Sequence, residues 1–237
     1  MGHRFILKDN LVILDKIEGR NCAALIDNGR LTDFLVDPNT KSPRPGAIYR
    51  AKTMRPMKGQ NGITLDLGAG HTGYLRNAKG IGPGETMLVQ VSTHAEGTKA
   101  APVTPKLLFK SRYCIVTPDA PGINVARKIR DEDERNRLLE VAHEALHGAD
   151  ERLGLIVRSV SEGIDVDAVF QDITAMRTAA EAVMSEVSGA PALLQEAETA
   201  AQVAWREWVD PDPDDVMENE GDLELLGFRD LVDELLE

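Results

Sequence analysis

Along the first half of the chain apolar and polar positions change in short runs, and along the second half they recur at helical spacing. Residues 11–17, 21–26 and 31–36, preceded by a shorter run at 5–7, are apolar or β-branched stretches. They are divided by Asp9-Asn10, Glu18-Gly19 and Asp27-Asn28-Gly29. Asn28-Gly29 predicts a tight hairpin, because both central positions of a two-residue turn require positive φ. A polar linker with Pro38, Pro43 and Pro45 follows. Five more runs come next, at 47–54, 63–67, 72–75, 86–91 and 101–108, separated by Lys58-Gly59, Gly68-Ala69-Gly70, 80–84 and Glu96-Gly97. Five short strands with Gly-rich turns and no helix between them predict a small closed barrel. The pattern suits the OB type, and an SH3-like barrel would produce much the same one.

The period then changes. Residues 131–147 carry Leu138, Leu139, Ala142 and Leu146 at helical spacing, behind a first turn rich in carboxylates that suits a helix N-terminus. A strand-like run lies at 153–159. A long amphipathic helix is predicted over 165–187, with Val166, Val169, Ile173, Met176, Ala180 and Val183 on one face. Residues 191–209 read as a strand followed by a helical segment bearing tryptophan. The acidic, Pro-broken stretch 210–222 reads as a mobile loop, and 222–236 as a last helix. The fold class is therefore α+β.

Charge sharpens this division. Residues 44–112 contain 11 Lys/Arg against 3 Asp/Glu, the first 43 residues balance at six of each, and residues 113–237 carry 10 basic against 30 acidic groups. The formal net charge of −12 thus conceals a dipolar molecule. A basic, β-rich module in an acidic chain suits a polyanionic partner, since Lys and Arg contacts to phosphate release counterions. A Lys/Arg surface kept for solubility is the plainer alternative. No run approaches the roughly 18 apolar residues that span a bilayer, and the N-terminus shows no secretory signal. Two cysteines, Cys22 and Cys114, are too few for a disulfide framework or a Cys-based zinc site. A cytoplasmic protein with no membrane contact is expected.

One catalytic motif stands out locally. His143-Glu144-Ala145-Leu146-His147 matches HExxH, the spacing that puts two imidazoles on one helix face as zinc hydrolases require. The extended form fails, since Asp150 occupies the glycine position and no histidine follows His147. The acidic runs 131–134 and 210–215 read as a helix start and a solvated loop rather than as metal sites.

Taken in order, several segments resemble the RNase E/G family of bacterial endoribonucleases. They are Gly46-Ala47-Ile48-Tyr49-Arg50, Asp66-Leu67-Gly68, Thr72-Gly73-Tyr74-Leu75, Pro83-Gly84-Glu85 and Leu88-Val89-Gln90-Val91. Gly97-Thr98-Lys99-Ala100, Arg112-Tyr113-Cys114-Ile115-Val116-Thr117-Pro118 and Val125-Ala126-Arg127-Lys128-Ile129 follow. Asp131-Glu132-Asp133-Glu134-Arg135 and Gly154-Leu155-Ile156-Val157-Arg158-Ser159 complete the set. The resemblance covers 45–135 and 154–186. It implies a five-stranded OB-type barrel inserted in an RNase H-like α/β layer, plus a small α/β segment that senses the RNA 5′-phosphate. On that map 1–43 and 190–237 form the RNase H-like part, 44–112 the OB domain and 113–189 the sensor.

The resemblance also implies roles. Tyr74 matches a stacking aromatic and Lys99 a basic RNA contact, while Thr64 stands where the family has its other aromatic, a departure that predicts weaker binding. Lys58 and Arg76 are further candidate RNA contacts in the same module. Arg158 and Ser159 match the sensor's Arg–Thr pair, Ser111 and Ile115 its backbone contributors, and Arg127 a supporting arginine. An arginine fork fits phosphate oxygens, and a hydroxyl adds a donor. Barrel packing for Tyr74, a turn-surface charge for Lys99 and a structural ion pair for Arg158 are the bland alternatives. The family's catalytic aspartates hold a divalent cation, Mg²⁺ in a complete member. They belong to a DNase-I-like module beyond the matched segments, so the chain is expected to contain no catalytic or metal residue and to show little cleavage. The reading is single-stranded RNA binding with 5′-monophosphate recognition. Its alternatives are a regulatory RNA-binding module without a nuclease role, and a zinc hydrolase on His143 and His147. An oligomer is compatible with the sequence, and the acidic C-terminal half is suited to docking a protein.

Overall fold

The computed structural model describes residues 10–39, 42–54, 61–97, 99–208 and 216–236. It divides into two compact units, Met1–Lys41 with Glu198–Glu237, and Ser42–Ala197 inserted between them in sequence. In the first unit β1 (Asn10–Ile17), β2 (Arg20–Asp27) and β3 (Arg30–Val36) form an antiparallel meander. The β2–β3 turn has φ of 48° at Asn28 and 74° at Gly29, as the hairpin signal predicts. The strand expected at 5–7 lies outside the described residues.

The second unit opens with the barrel: β4 (Ile48–Thr53), β5 (Gly62–Gly68), β6 (His71–Arg76), β7 (Thr86–Val91) and β8 (Ala101–Thr104). Strand β4 pairs with β5 through Lys52↔Asp66 and with β7 through Ile48↔Gln90, which closes the sheet on itself. Strands β6 and β8 run parallel, Gly73 opposite Ala101, and β8 then pairs antiparallel with β7. An up-and-down barrel has no parallel neighbours. This Greek-key closure of five strands is the OB arrangement. Alternation is clear on β5, where Ile63, Leu65 and Leu67 are buried while Thr64 and Asp66 face outward.

From the barrel the chain passes to a second sheet through β9 (Phe109–Lys110), β10 (Cys114–Pro118) and β11 (Gly122–Val125). Helix α1 (Glu132–Ala145) follows, then β12 (Leu153–Val157) and α2 (Val166–Ser185). The strand order is β11-β12-β10-β9, with β11 parallel to β12. Asp131 caps α1 by accepting from the Glu134 amide at 2.8 Å, and Asp165 caps α2 through the Asp167 and Ala168 amides. Both helices cover one face of this sheet, burying Leu138, Ala142, Val169, Ile173, Ala180 and Val183 against Val116, Leu155 and Val157. Val166, placed on the apolar face by its spacing, is exposed at the helix start. Burial of a residue such as Ile173 contributes about 1.5–3 kcal/mol. Strand β13 (Ala192–Gln195) then returns to pair with β4 of the barrel.

The chain completes the first unit with α3 (Ala200–Glu207), β14 (Val216–Met217), α4 (Asp222–Leu225) and α5 (Arg229–Leu236). The stretch read as a loop therefore contains a short strand, with Val216 beside Val12 in parallel register, and its residues 210–215 lie outside the described set. The single helix expected at 222–236 is two helices, parted at Gly227, whose φ of 80° ends the first. Buried Asp15 holds this corner by accepting from the amides of Gly221 at 2.9 Å and Leu223 at 3.0 Å. Among the described residues no helix is long and apolar enough to cross a membrane.

Candidate nucleic-acid interface

Three of the RNA-contact candidates share the outward face of the β5–β6 hairpin. Register sets Thr64 directly opposite Tyr74, with Gly62 opposite Arg76 and Asp66 opposite Thr72. Because side chains alternate across a strand, Thr64, Tyr74 and Arg76 all point away from the barrel core. Tyr74 is half-buried and Arg76 exposed. Strands two and three of an OB barrel, with the loops after strands one and four, make up its usual oligonucleotide face. Here those strands are β5 and β6. Lys99 sits in the loop after β7, the fourth strand, and Lys58, between β4 and β5 in sequence, lies outside the described residues.

Tyr74 owes its pose to a residue the sequence reading passed over. A Cβ built on Gly62 would lie 2.5 Å from the Tyr74 hydroxyl and 2.6 Å from its Cζ, so the phenol ring drapes over the bare backbone of β5. Only glycine leaves room for this. A ring backed on one side by a strand is a suitable stacking platform on the other. The signal was present as Asn61-Gly62 at a strand start, but only the neighbouring strand gives it meaning. Lys99 pairs with Glu96 at 2.7 Å, both highly exposed. Their hydrogen bond raises the lysine pKa and lowers that of the glutamate. The lysine is charged, and a phosphate would have to compete with Glu96 for it.

The second cluster gathers three distant segments around the turn 111–114. Arg158, half-buried just past β12, donates from Nη1 to the Ser111 carbonyl at 2.7 Å. Its backbone amide donates to the Tyr113 carbonyl at 2.8 Å, and the same carbonyl accepts from Ser161 Oγ at 2.9 Å. Ser159 follows Arg158 at the start of a single 3₁₀ turn, Ser159–Ser161. Ile115 pairs with Ile156 across β10 and β12. The Ala126 amide donates to the Val157 carbonyl at 2.9 Å, which sets exposed Arg127 beside the end of the strand that delivers Arg158. Ser111, aligned with a backbone contributor, has its own polar groups engaged within the cluster. Its amide donates to the Cys114 carbonyl, its hydroxyl donates to Asp172 Oδ2, and its carbonyl accepts from Arg158.

Asp172, on α2, is the other residue that sequence reasoning missed. Its Oδ2 accepts from the Tyr113 amide at 3.1 Å as well as from Ser111. Cys114 lies among these groups. Burial pushes its thiol up to about 12, against a lowering hydrogen bond from Ser111, so it is no nucleophile at neutral pH.

The HExxH match loses its geometric basis. Helix α1 ends at Ala145 with Leu146 as its C-cap, so His147 lies beyond the last helical turn that carries His143. Both imidazole residues are exposed, and the His147 carbonyl is taken by Arg177 at 2.9 Å. Among the described residues no group of three or more His, Cys, Asp or Glu is arranged to hold a metal ion.

Comparison with known proteins agrees on one family. A sequence profile of the Ribonuclease E/G family matches residues 109–225. The chain is 34% identical over 116 residues to Ribonuclease E of Nostoc sp., which covers 48% of this chain and 16% of that protein. It is 28% identical over 165 residues to Ribonuclease G of Escherichia coli, covering 60% and 33%. With Ribonuclease G of Haemophilus influenzae it shares 25% over 204 residues, covering 73% and 41%. The chain thus spans between 16% and 41% of the length of these curated relatives. The profile match over residues 109–225 and these relatives name the same family, the barrel joined to a second α/β sheet is the fold that resemblance implies, and together they support a Ribonuclease E/G family protein.

Proposed function

We propose that this chain binds single-stranded RNA on the β5–β6 face of its barrel and reads a 5′-monophosphate at Arg158 and Ser159, within an RNA-processing or decay protein. The observation that carries the reading is Tyr74, laid over Gly62 with Thr64 opposite and Arg76 two residues on, on the strands by which OB barrels hold oligonucleotides. Support for the second part is narrower. Arg158 is fixed by a backbone carbonyl at the end of β12, with a hydroxyl residue next to it and Arg127 near the same strand end. Guanidinium and hydroxyl suit a phosphate dianion, and the strongly acidic surroundings in sequence confine any anion site to this spot. That the curated relatives are ribonucleases E and G makes RNA the polyanion to test first.

The experiment is binding of one oligoribonucleotide sequence with a 5′-phosphate and with a 5′-hydroxyl, by fluorescence anisotropy over a salt series. Both should bind, with a log Kd that rises with log salt at a slope of about 2 for three phosphate contacts on a single strand. The phosphorylated form should bind more tightly. No binding of either form would end the reading, and equal binding would remove its end-recognition half.

A further inference from the structure

We infer that Asp172 is the positioning residue of the Arg158 site, an inference that rests on the proposed role of Arg158 in holding the 5′-phosphate. The hydrogen bonds form a chain from α2 to the guanidinium. Asp172 Oδ2 gathers two donors, the Ser111 hydroxyl and the Tyr113 amide, and so fixes the turn 111–114 from the helix side. With its proton committed to Asp172, the Ser111 hydroxyl accepts from the Cys114 amide at 3.2 Å, which locks the far end of the turn. The Ser111 carbonyl is then left facing Arg158 and accepts from its Nη1 at 2.7 Å. From the opposite side the Arg158 amide and Ser161 Oγ both donate to the Tyr113 carbonyl. In these contacts the carboxylate acts through the turn 111–114. It sets the carbonyl that aims the guanidinium.

The chemistry requires an acceptor that serves two donors from one atom. A charged oxygen does so with short, strong bonds. An uncharged amide oxygen, with two lone pairs, meets the same geometry more weakly. A methyl group in its place leaves the Tyr113 amide unsatisfied and the Ser111 hydroxyl with only the longer contact to the Cys114 carbonyl at 3.2 Å, and so frees the turn to rotate the Ser111 carbonyl away. Arg158 would then lose its fixed orientation, and a misplacement of about 1 Å is enough to weaken a bidentate anion contact severely.

Asp172→Ala, Asp172→Asn, Arg158→Ala and the double variant Asp172→Ala/Arg158→Ala test this. Each is measured against oligoribonucleotides bearing 5′-phosphate or 5′-hydroxyl, with thermal unfolding as a control. The ratio of the two affinities is the readout, because a merely structural loss lowers both alike. Asp172→Ala should cut the preference for 5′-phosphate about tenfold or down to unity, leaving 5′-hydroxyl binding at the barrel intact. Asp172→Asn should retain most of the preference. On the Arg158→Ala background the second substitution should add nothing to the phosphate-dependent part. If Asp172→Ala is too unstable to measure, Ser111→Ala, which removes one donor of the same chain, should lower the ratio by about threefold. An unchanged ratio in Asp172→Ala or in Ser111→Ala, with a lost ratio in Arg158→Ala, overturns the inference and leaves the Arg158 reading standing. An unchanged ratio in Arg158→Ala overturns both.

Discussion

The barrel face and the Arg158 cluster are built by different physics, although both lie in one compact unit. On the β5–β6 hairpin the candidate contact residues are neighbours in register, Thr64 against Tyr74 and Gly62 against Arg76, and the pleat alone turns them outward. Their geometry is inherited from local alternation. At the Arg158 site the participants come from residues 111–114, 158–161 and 172, and no periodicity relates them. There the arrangement depends on hydrogen bonds to backbone carbonyls and to a half-buried carboxylate. The lesson is about tolerance. A platform built on alternation should lose affinity in proportion to the ring removed, whereas a site built on a bonded turn should lose selectivity all at once.

The sharpest contrast is between Arg158→Ala and Tyr74→Ala. Losing Arg158 should remove about 1.5–3 kcal/mol from binding of 5′-phosphorylated RNA and nothing from the 5′-hydroxyl form. Loss from both in equal measure would mean that Arg158 only braces the fold. Tyr74→Ala should weaken both forms alike, by about 1–3 kcal/mol, read by the same titrations. An unchanged affinity would reduce the ring to packing over Gly62.

The β9–β12 sheet should also respond to acid in its own way. Glu134 accepts from Arg137 Nε and Nη2 at 2.7 Å each and from the Gly163 amide at 2.9 Å, tying the start of α1 to the loop before α2. These hydrogen bonds, chiefly the arginine's, hold its pKa at about 2 instead of 4.5. A carboxylate with a depressed folded pKa contributes stability that is fully present above its unfolded pKa. That contribution is lost as pH falls from about 4.5 towards 2. Because Arg137 is partly solvated, the contribution is about 1–2 kcal/mol rather than the full value of the shift. Denaturant melts of Glu134→Gln should show that loss at pH 7 and a flatter acid limb. An acid limb identical to that of the unsubstituted chain would assign the acid sensitivity elsewhere.

The smallest expected effect runs the other way. Thr64→Phe places a second aromatic directly across from Tyr74, and should tighten both RNA forms by about 1 kcal/mol. A gain confined to the 5′-phosphorylated form would contradict the separation of the two sites.

Much of this protein was legible in the sequence where the information is local. Asn28-Gly29 demanded its turn, Asp131 and Asp165 announced the helix starts, and the alternation of Ile63, Leu65 and Leu67 marked the inner face of β5. The residues carrying the family resemblance were likewise contiguous, which is why Tyr74, Arg158 and Ser159 could be nominated before any contact was known. What the tertiary structure alone decided is long-range pairing. The closure of β4 on β7, the parallel β6–β8 neighbours, β13 added to β4 and β14 added to β1 all join segments whose own patterns are silent about partners. Gly62 and Asp172 belong to the same class. A glycine at a strand start and an aspartate on an amphipathic helix look ordinary in sequence. Each acquires its meaning from an atom on another strand or turn, the Tyr74 ring in one case and the Ser111 hydroxyl in the other. Periodicity encodes which face of an element is buried, while the identity of what lies across from it is settled only when the chain folds.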